Sequence, residues 1–215
     1  MNKTRFLILL VAALLGGGCD WAGIKGNGQL KTEQRPIGEF SEIHASGMFR
    51  IEWRSGAPAL EITTDENLLP YLENKITDSR LRLRSRERLR PTKGIKVILS
   101  SPTRLGAKLT GATELVAEQL TGDTFAVQTT GAAEVKLDGA INTLLADMTG
   151  ASELNAKSLQ TKTAKISTTG AADAQVAVAE TLQVSITGAG EVSYYGNPKT
   201  IEKNVTGAGS IQKKD

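Results

Sequence analysis

The chain has 215 residues with 26 Lys and Arg, 23 Asp and Glu, one His and one Cys, for a formal net charge of +3. Its 40% hydrophobic content excludes a wholly disordered chain, and the length suits one folded domain or two small ones. One histidine and one cysteine exclude His-rich or Cys-rich zinc sites and a disulfide framework, and 4% aromatics predicts a core of Ala, Val, Leu and Thr rather than large rings.

The first segment is an address. Lys3 and Arg5 precede an uninterrupted apolar run of ten residues, Phe6 to Leu15, and Gly16, Gly17 and Gly18 lead into Cys19. A bilayer span needs about 20 residues, so residues 1–18 read as an export signal peptide. Cys19 stands where a bacterial lipobox places its acylated residue and resembles the first residue of bacterial lipoproteins, although Gly16 occupies the usual Leu position. The expectation is lipid attachment at Cys19 and a protein held at the cell envelope, at the outer membrane or its periplasmic face. An ordinary cleaved signal with a soluble periplasmic product is the alternative. Residues 19–28 read as a lipidated tether, with glycines at 23, 26 and 28, and 29–215 as the folded domain.

Without residues 1–18 the chain carries 24 bases and 23 acids, so global charge does not recruit nucleic acid. The charge is uneven: Asp20 to Leu109 holds 16 bases and 11 acids, Thr110 to Asp215 holds 8 bases and 12 acids.

The tether gives way to Asn27 to Glu39, a polar stretch suited to covering the end of a sheet stack. Strands are predicted at Phe49 to Trp53, Leu60 to Thr64, Arg80 to Ser85 and Ile95 to Ser100, and Pro70 predicts a loop or single helical turn in Asp65 to Leu72. The 62 residues between Ser46-Gly47 and Thr110-Gly111 have room for about three coils at the spacing of the later Thr-Gly-Ala triplets. Arg80, Arg82, Arg84, Arg86, Arg88 and Arg90 alternate with Leu81, Leu83, Ser85, Glu87 and Leu89, which on a strand puts six arginines on one face. Such a face suits an anionic partner, phospholipid headgroups, lipopolysaccharide phosphates or an acidic glycan. The bland reading is a solvated face paired with Glu52, Glu61 or Glu73.

Thr-Gly-Ala then occurs at Thr110, Thr130, Thr149, Thr169, Thr187 and Thr206, with spacings of 20, 19, 20, 18 and 19. Each triplet is followed by a small residue, an acid and an apolar residue, except that the last copy lacks the acid. Within each unit apolar and polar residues alternate, as in Leu182, Val184 and Ile186, the period of a strand with one buried face. A period near 19 with a glycine corner describes one coil of an all-β, single-stranded, right-handed parallel β-helix, or β-solenoid. An antiparallel sandwich, the alternative, has less regular strand spacing.

Lys31-Thr32-Glu33 with Arg35-Pro36 and Phe40, Ile43 to Gly47, Leu60-Glu61-Ile62, Asp65 to Leu72 and the serial Thr-Gly-Ala units together resemble the bacterial putative auto-transporter adhesin, head GIN domain family, over roughly residues 27 to 212. The resemblance implies a β-helix on an exported, often lipid-anchored protein, and an adhesin-like class without a defined ligand. No cofactor is expected.

Chemistry-bearing residues are sparse. His44, beside Ile43, faces outward by alternation, and no G-x-S-x-G, GxxxxGK[ST], HExxH or EF-hand loop occurs. Glu114, Glu134, Glu153, Asp173 and Glu191 recur four residues after the column threonines, so stacking makes them neighbours about 5 Å apart. Such a column is a solvated ladder, or a weak cation or glycan contact, and lacks the distinct acid and nucleophile environments of a glycosidase. No metal is expected. The reading is a non-enzymatic, lipid-anchored adhesin-like or scaffold surface whose partners are the membrane and a glycan or envelope protein, not nucleic acid. The competing reading is a carbohydrate-active enzyme, a polysaccharide lyase or glycosidase on a β-helix.

Overall fold

The computed structural model describes residues 23–215. The chain enters through β1 (Ile24–Lys25) and β2 (Leu30–Gln34), then turns a first corner between β3 (Glu42–Gly47) and β4 (Arg50–Ser55). It continues through β5 (Ala59–Asp65), a 3-10 helix (Glu66–Tyr71) containing Pro70, β6 (Leu72–Thr77), β7 (Arg80–Ser85), β8 (Leu89–Arg90) and β9 (Lys96–Ser101). From β10 (Gly106–Gly111) it climbs through the long strands β11 (Glu114–Gly131), β12 (Glu134–Gly150), β13 (Glu153–Gly170) and β14 (Asp173–Gly188) into β15 (Glu191–Tyr195), β16 (Thr200–Gly207) and β17 (Ser210–Lys213).

From β10 onward every pairing is parallel and in register with the repeat. Thr110, Thr130, Thr149, Thr169, Thr187 and Thr206 are successive partners. The molecule is therefore a β-solenoid and not a sandwich. Period-two alternation turns the threonines outward and sends Leu115, Val135, Leu154, Ala174 and Val192 into one buried column. Burying a Leu or Val side chain contributes about 1.5–3 kcal/mol. No coil can bury its own inner face, so this stabilisation exists only in the stack.

The drift in repeat length is absorbed away from the glycine corner. Register slips between Ala117 and Leu120, between Lys136 and Asp138, and between Ala156 and Thr163, whereas each Gly of the triplet stays opposite the next. The corner tolerates no change because it is tight: Gly150 has φ of +108°, and a Cβ there would stand 2.5 Å from the Gly131 carbonyl oxygen. Only glycine fits a positive φ against stacked backbone.

The amino-terminal end differs from the three coils that its length suggests. Ser46 lies directly beside Thr110, because β3 pairs with β10, so Gly47 and Gly111 are adjacent corners. The intervening chain drops below β3 and β4, where β7 pairs with β3 and β9 with β4 to make one further coil. Antiparallel strands close the stack, β6 on β7, β5 on β9 and β2 on β5, while β8 pairs in parallel with β1. Turning the chain back covers the core end and occupies strand edges that would otherwise pair with other molecules. Asn27 to Glu39 does supply part of this cover through β2.

Asp65 staples the cap. Its buried carboxylate accepts hydrogen bonds from the Gly28 N–H at 2.7 Å, the Thr92 N–H at 2.8 Å and the Thr92 hydroxyl at 2.8 Å. Burial alone would raise its pKa, but these donors outweigh it and hold the carboxyl below the ordinary range.

The rare aromatics also concentrate here. Phe40 and Trp53 are buried in series with Phe125 of the first long coil, ring centroids 6.0 Å apart, so this end of the core is built around large rings. Arg104 closes the seam, donating to the carbonyls of Trp53, Glu118 and Gln119 at 3.0, 2.8 and 2.7 Å.

Candidate functional site

The parallel register turns each outward residue of the repeat into a column. On the strand after the corner, Glu114, Glu134, Glu153 and Asp173 are successive partners. Glu191 continues them and donates its backbone N–H to the Asp173 carboxylate at 2.8 Å. All but Glu191 are exposed, and Glu191 is half-exposed. The ladder is thus splayed into solvent, and among the described residues no group of three or more His, Cys, Asp or Glu is arranged to hold a metal ion.

Followed toward the amino terminus, the same column changes sign. Glu114 is opposite Arg50, and Arg50 is opposite Lys96. The Arg50 Nε lies 3.2 Å from a Glu114 oxygen. Ser46-Gly47-Met48-Phe49-Arg50 is therefore a rung of the repeat in which Met replaces the exposed Ala and Arg replaces the acid. Met48 is 53% exposed, where every later rung presents an alanine methyl.

The six arginines do not form one face of one strand. Arg80, Arg82 and Arg84 project from β7, with Leu81 and Leu83 buried behind them, but β7 ends at Ser85 and the chain bends before β8. Glu73 ion-pairs with Arg84 and Arg86 at 2.6 and 2.7 Å. Arg80 bonds Glu42 at 2.7 Å, while Glu52 is taken by Arg54 and Lys96. Arg88 and Arg90 lie elsewhere, on a cleft of about 880 Å³ at the first corner, with Lys25, Met48, Arg50 and Lys93.

Residues 39–198 match the family described as "Putative auto-transporter adhesin, head GIN domain". The chain belongs to this family. Membership makes it adhesin-like, in a class of surface or envelope proteins. The head GIN fold recurs in a putative adhesin from Bacteroides fragilis, 22% identical, with a TM-score of 0.73 over 89% of this chain and 100% of that one. A putative adhesin from Parabacteroides merdae, 21% identical, gives 0.62 over 90% and 99%. A protein from Parabacteroides distasonis described as a putative lipid binding protein, 21% identical, gives 0.56 over 90% and 100%. At these identities the likeness is one of fold. Comparison with curated proteins gives no match.

His44 sits on the outer face of β3, 3.9 Å from Glu42, with its pKa lowered by partial burial and by Arg80, Lys108 and Arg82, against the opposing pull of Glu42. Cys19 lies outside the described residues. The phase of Ser46-Gly47 with the triplets is legible in the sequence, and aligning this rung with the later ones shows Met48 at the alanine position and Arg50 at the acid position. No such signal brings Arg88 and Lys93 beside them.

Proposed function

We propose that this chain is a non-enzymatic, lipid-anchored solenoid of the cell envelope, held through Cys19 and presenting its outer faces as an adhesin-like or scaffold surface toward a glycan or an envelope protein. The observation that carries this reading is the uniformity of the outer surface. Thr110 to Thr206 and Glu114 to Glu191 repeat one chemistry along the stack instead of converging on a reacting centre. Catalysis needs groups in contrasting environments around one point. A repetitive face suits many weak contacts that add through multivalency.

The anchor is tested by fractionation. Cys19→Ser should move the protein from the membrane to the soluble fraction, because two or more acyl chains hold a protein where one is marginal. Fatty-acid label persisting on that variant refutes attachment at Cys19. A binding screen of the folded domain against glycans and envelope fractions tests the surface role, and release of reducing ends or unsaturated products from polysaccharides would overturn the non-enzymatic reading.

A further inference from the structure

The first-corner cleft sets a cluster of bases beside an exposed apolar side chain. Its cationic wall comes from Lys25 on β1, Arg88 and Arg90 around β8, Lys93 before β9, and Arg50 on β4. Its single acid among the described residues, Glu114, is engaged by Arg50. Lys25, Arg88 and Lys93 make no ion pair among the described residues. Beside these charges stands Met48, 53% exposed.

The chain enters the described structure along this wall. The Ile24 N–H donates to the Arg88 carbonyl at 2.8 Å, and the Gly26 N–H donates to the Arg90 carbonyl at 3.0 Å. Cys19 precedes Gly23 by four residues, a reach of at most about 14 Å. An acyl group on Cys19 would therefore hold this cleft against the bilayer. That orientation rests on the proposed anchor; the binding chemistry of the cleft does not.

We propose that the cleft binds the anionic headgroup of a membrane phospholipid, with Lys25, Arg88 and Lys93 on its phosphate and neighbouring charge and Met48 in the interfacial layer. Cations rimming an exposed apolar side chain match an anionic interface, where bases gain from surface charge and the apolar group gains from burial. An acidic glycan fits less well: among the described residues the only ring of the wall, Phe49, is 2% exposed and offers no stacking surface. On the neighbouring face, Arg80, Arg84 and Arg86 are each engaged by a carboxylate, of Glu42 or Glu73.

The test uses the mature chain from residue 19 carrying Cys19→Ser, first checked for strand-type circular dichroism and a cooperative melt, in sedimentation with phosphatidylcholine vesicles with or without phosphatidylglycerol. Binding should require phosphatidylglycerol and weaken as salt rises. Each basic residue contributes about fivefold, so the triple variant Lys25→Gln, Arg88→Gln, Lys93→Gln should lose about a hundredfold. Arg80→Gln, Arg84→Gln, Arg86→Gln removes equal charge and should bind as the parent does. Met48→Trp should shift its emission to the blue on phosphatidylglycerol vesicles only. Equal binding to phosphatidylcholine, equal loss in the two triple variants, or binding of heparin in place of the vesicles overturns the proposal. A wild-type chain that is soluble in cells while these vesicle results hold refutes the anchor alone.

Discussion

Thr129 and Ser152 share a hydrogen bond of 2.7 Å inside the core, one rung apart in the stack. Thr168 occupies the same column as Thr129, with Met148 between them, yet its buried hydroxyl has no partner among the described residues. The position that Ser152 fills for Thr129 is filled for Thr168 by Gly190, where a Cβ would stand 3.3 Å from the hydroxyl. Thr129→Val should therefore destabilise by about 1–3 kcal/mol, because it strands the Ser152 hydroxyl, whereas Thr168→Val removes an unsatisfied group and should be neutral or stabilising. Urea melts of both variants decide it, and equal losses would contradict the assignment.

Gly150→Val should cost about 1–3 kcal/mol, since a branched residue must adopt a positive φ against the Gly131 carbonyl. The same change at Gly207 should cost less, because β16 is exposed throughout and its rung can fray. Matching shifts in melting temperature would count against end fraying.

Asp65 predicts an acid limb to stability. Its folded pKa lies below the unfolded value of about 3.9, so its contribution is present above that pH and is lost as pH falls through the folded value. Asp65→Asn should lower the melting temperature at neutral pH and flatten its fall below about pH 4. An unchanged acid profile would remove Asp65 from that role.

Lys203 guards the last rung of the described residues. Its register partner is Val184, between Leu182 opposite Ile201 and Ile186 opposite Val205, so it points where the core column runs. Its ammonium lies 5.6 Å from the centre of the Tyr194 ring. An inward charge on an edge strand discourages pairing with other chains. Lys203→Val should make sedimentation concentration-dependent, reporting larger species than the parent at equal loading. Identical sedimentation of parent and variant would show that the charge does not guard the edge.

What the sequence by itself determined is the repeating part of the molecule: the coil period, the corner at each Thr-Gly-Ala, the outward threonines and acids, and the inward column from Leu115 to Val192. These follow from alternation, a local property, and from parallel in-register stacking, which copies each coil's pattern onto the next. Only the tertiary structure decided the amino-terminal end. There β7 and β9 lie below strands that precede them in the chain, β2, β5 and β6 run antiparallel, and Lys25, Met48 and Arg88 converge on one cleft. Non-repeating segments have no internal copy to fix their partners, so their pairing depends on covering an open core end by contacts distant in sequence, for which local periodicity carries no signal.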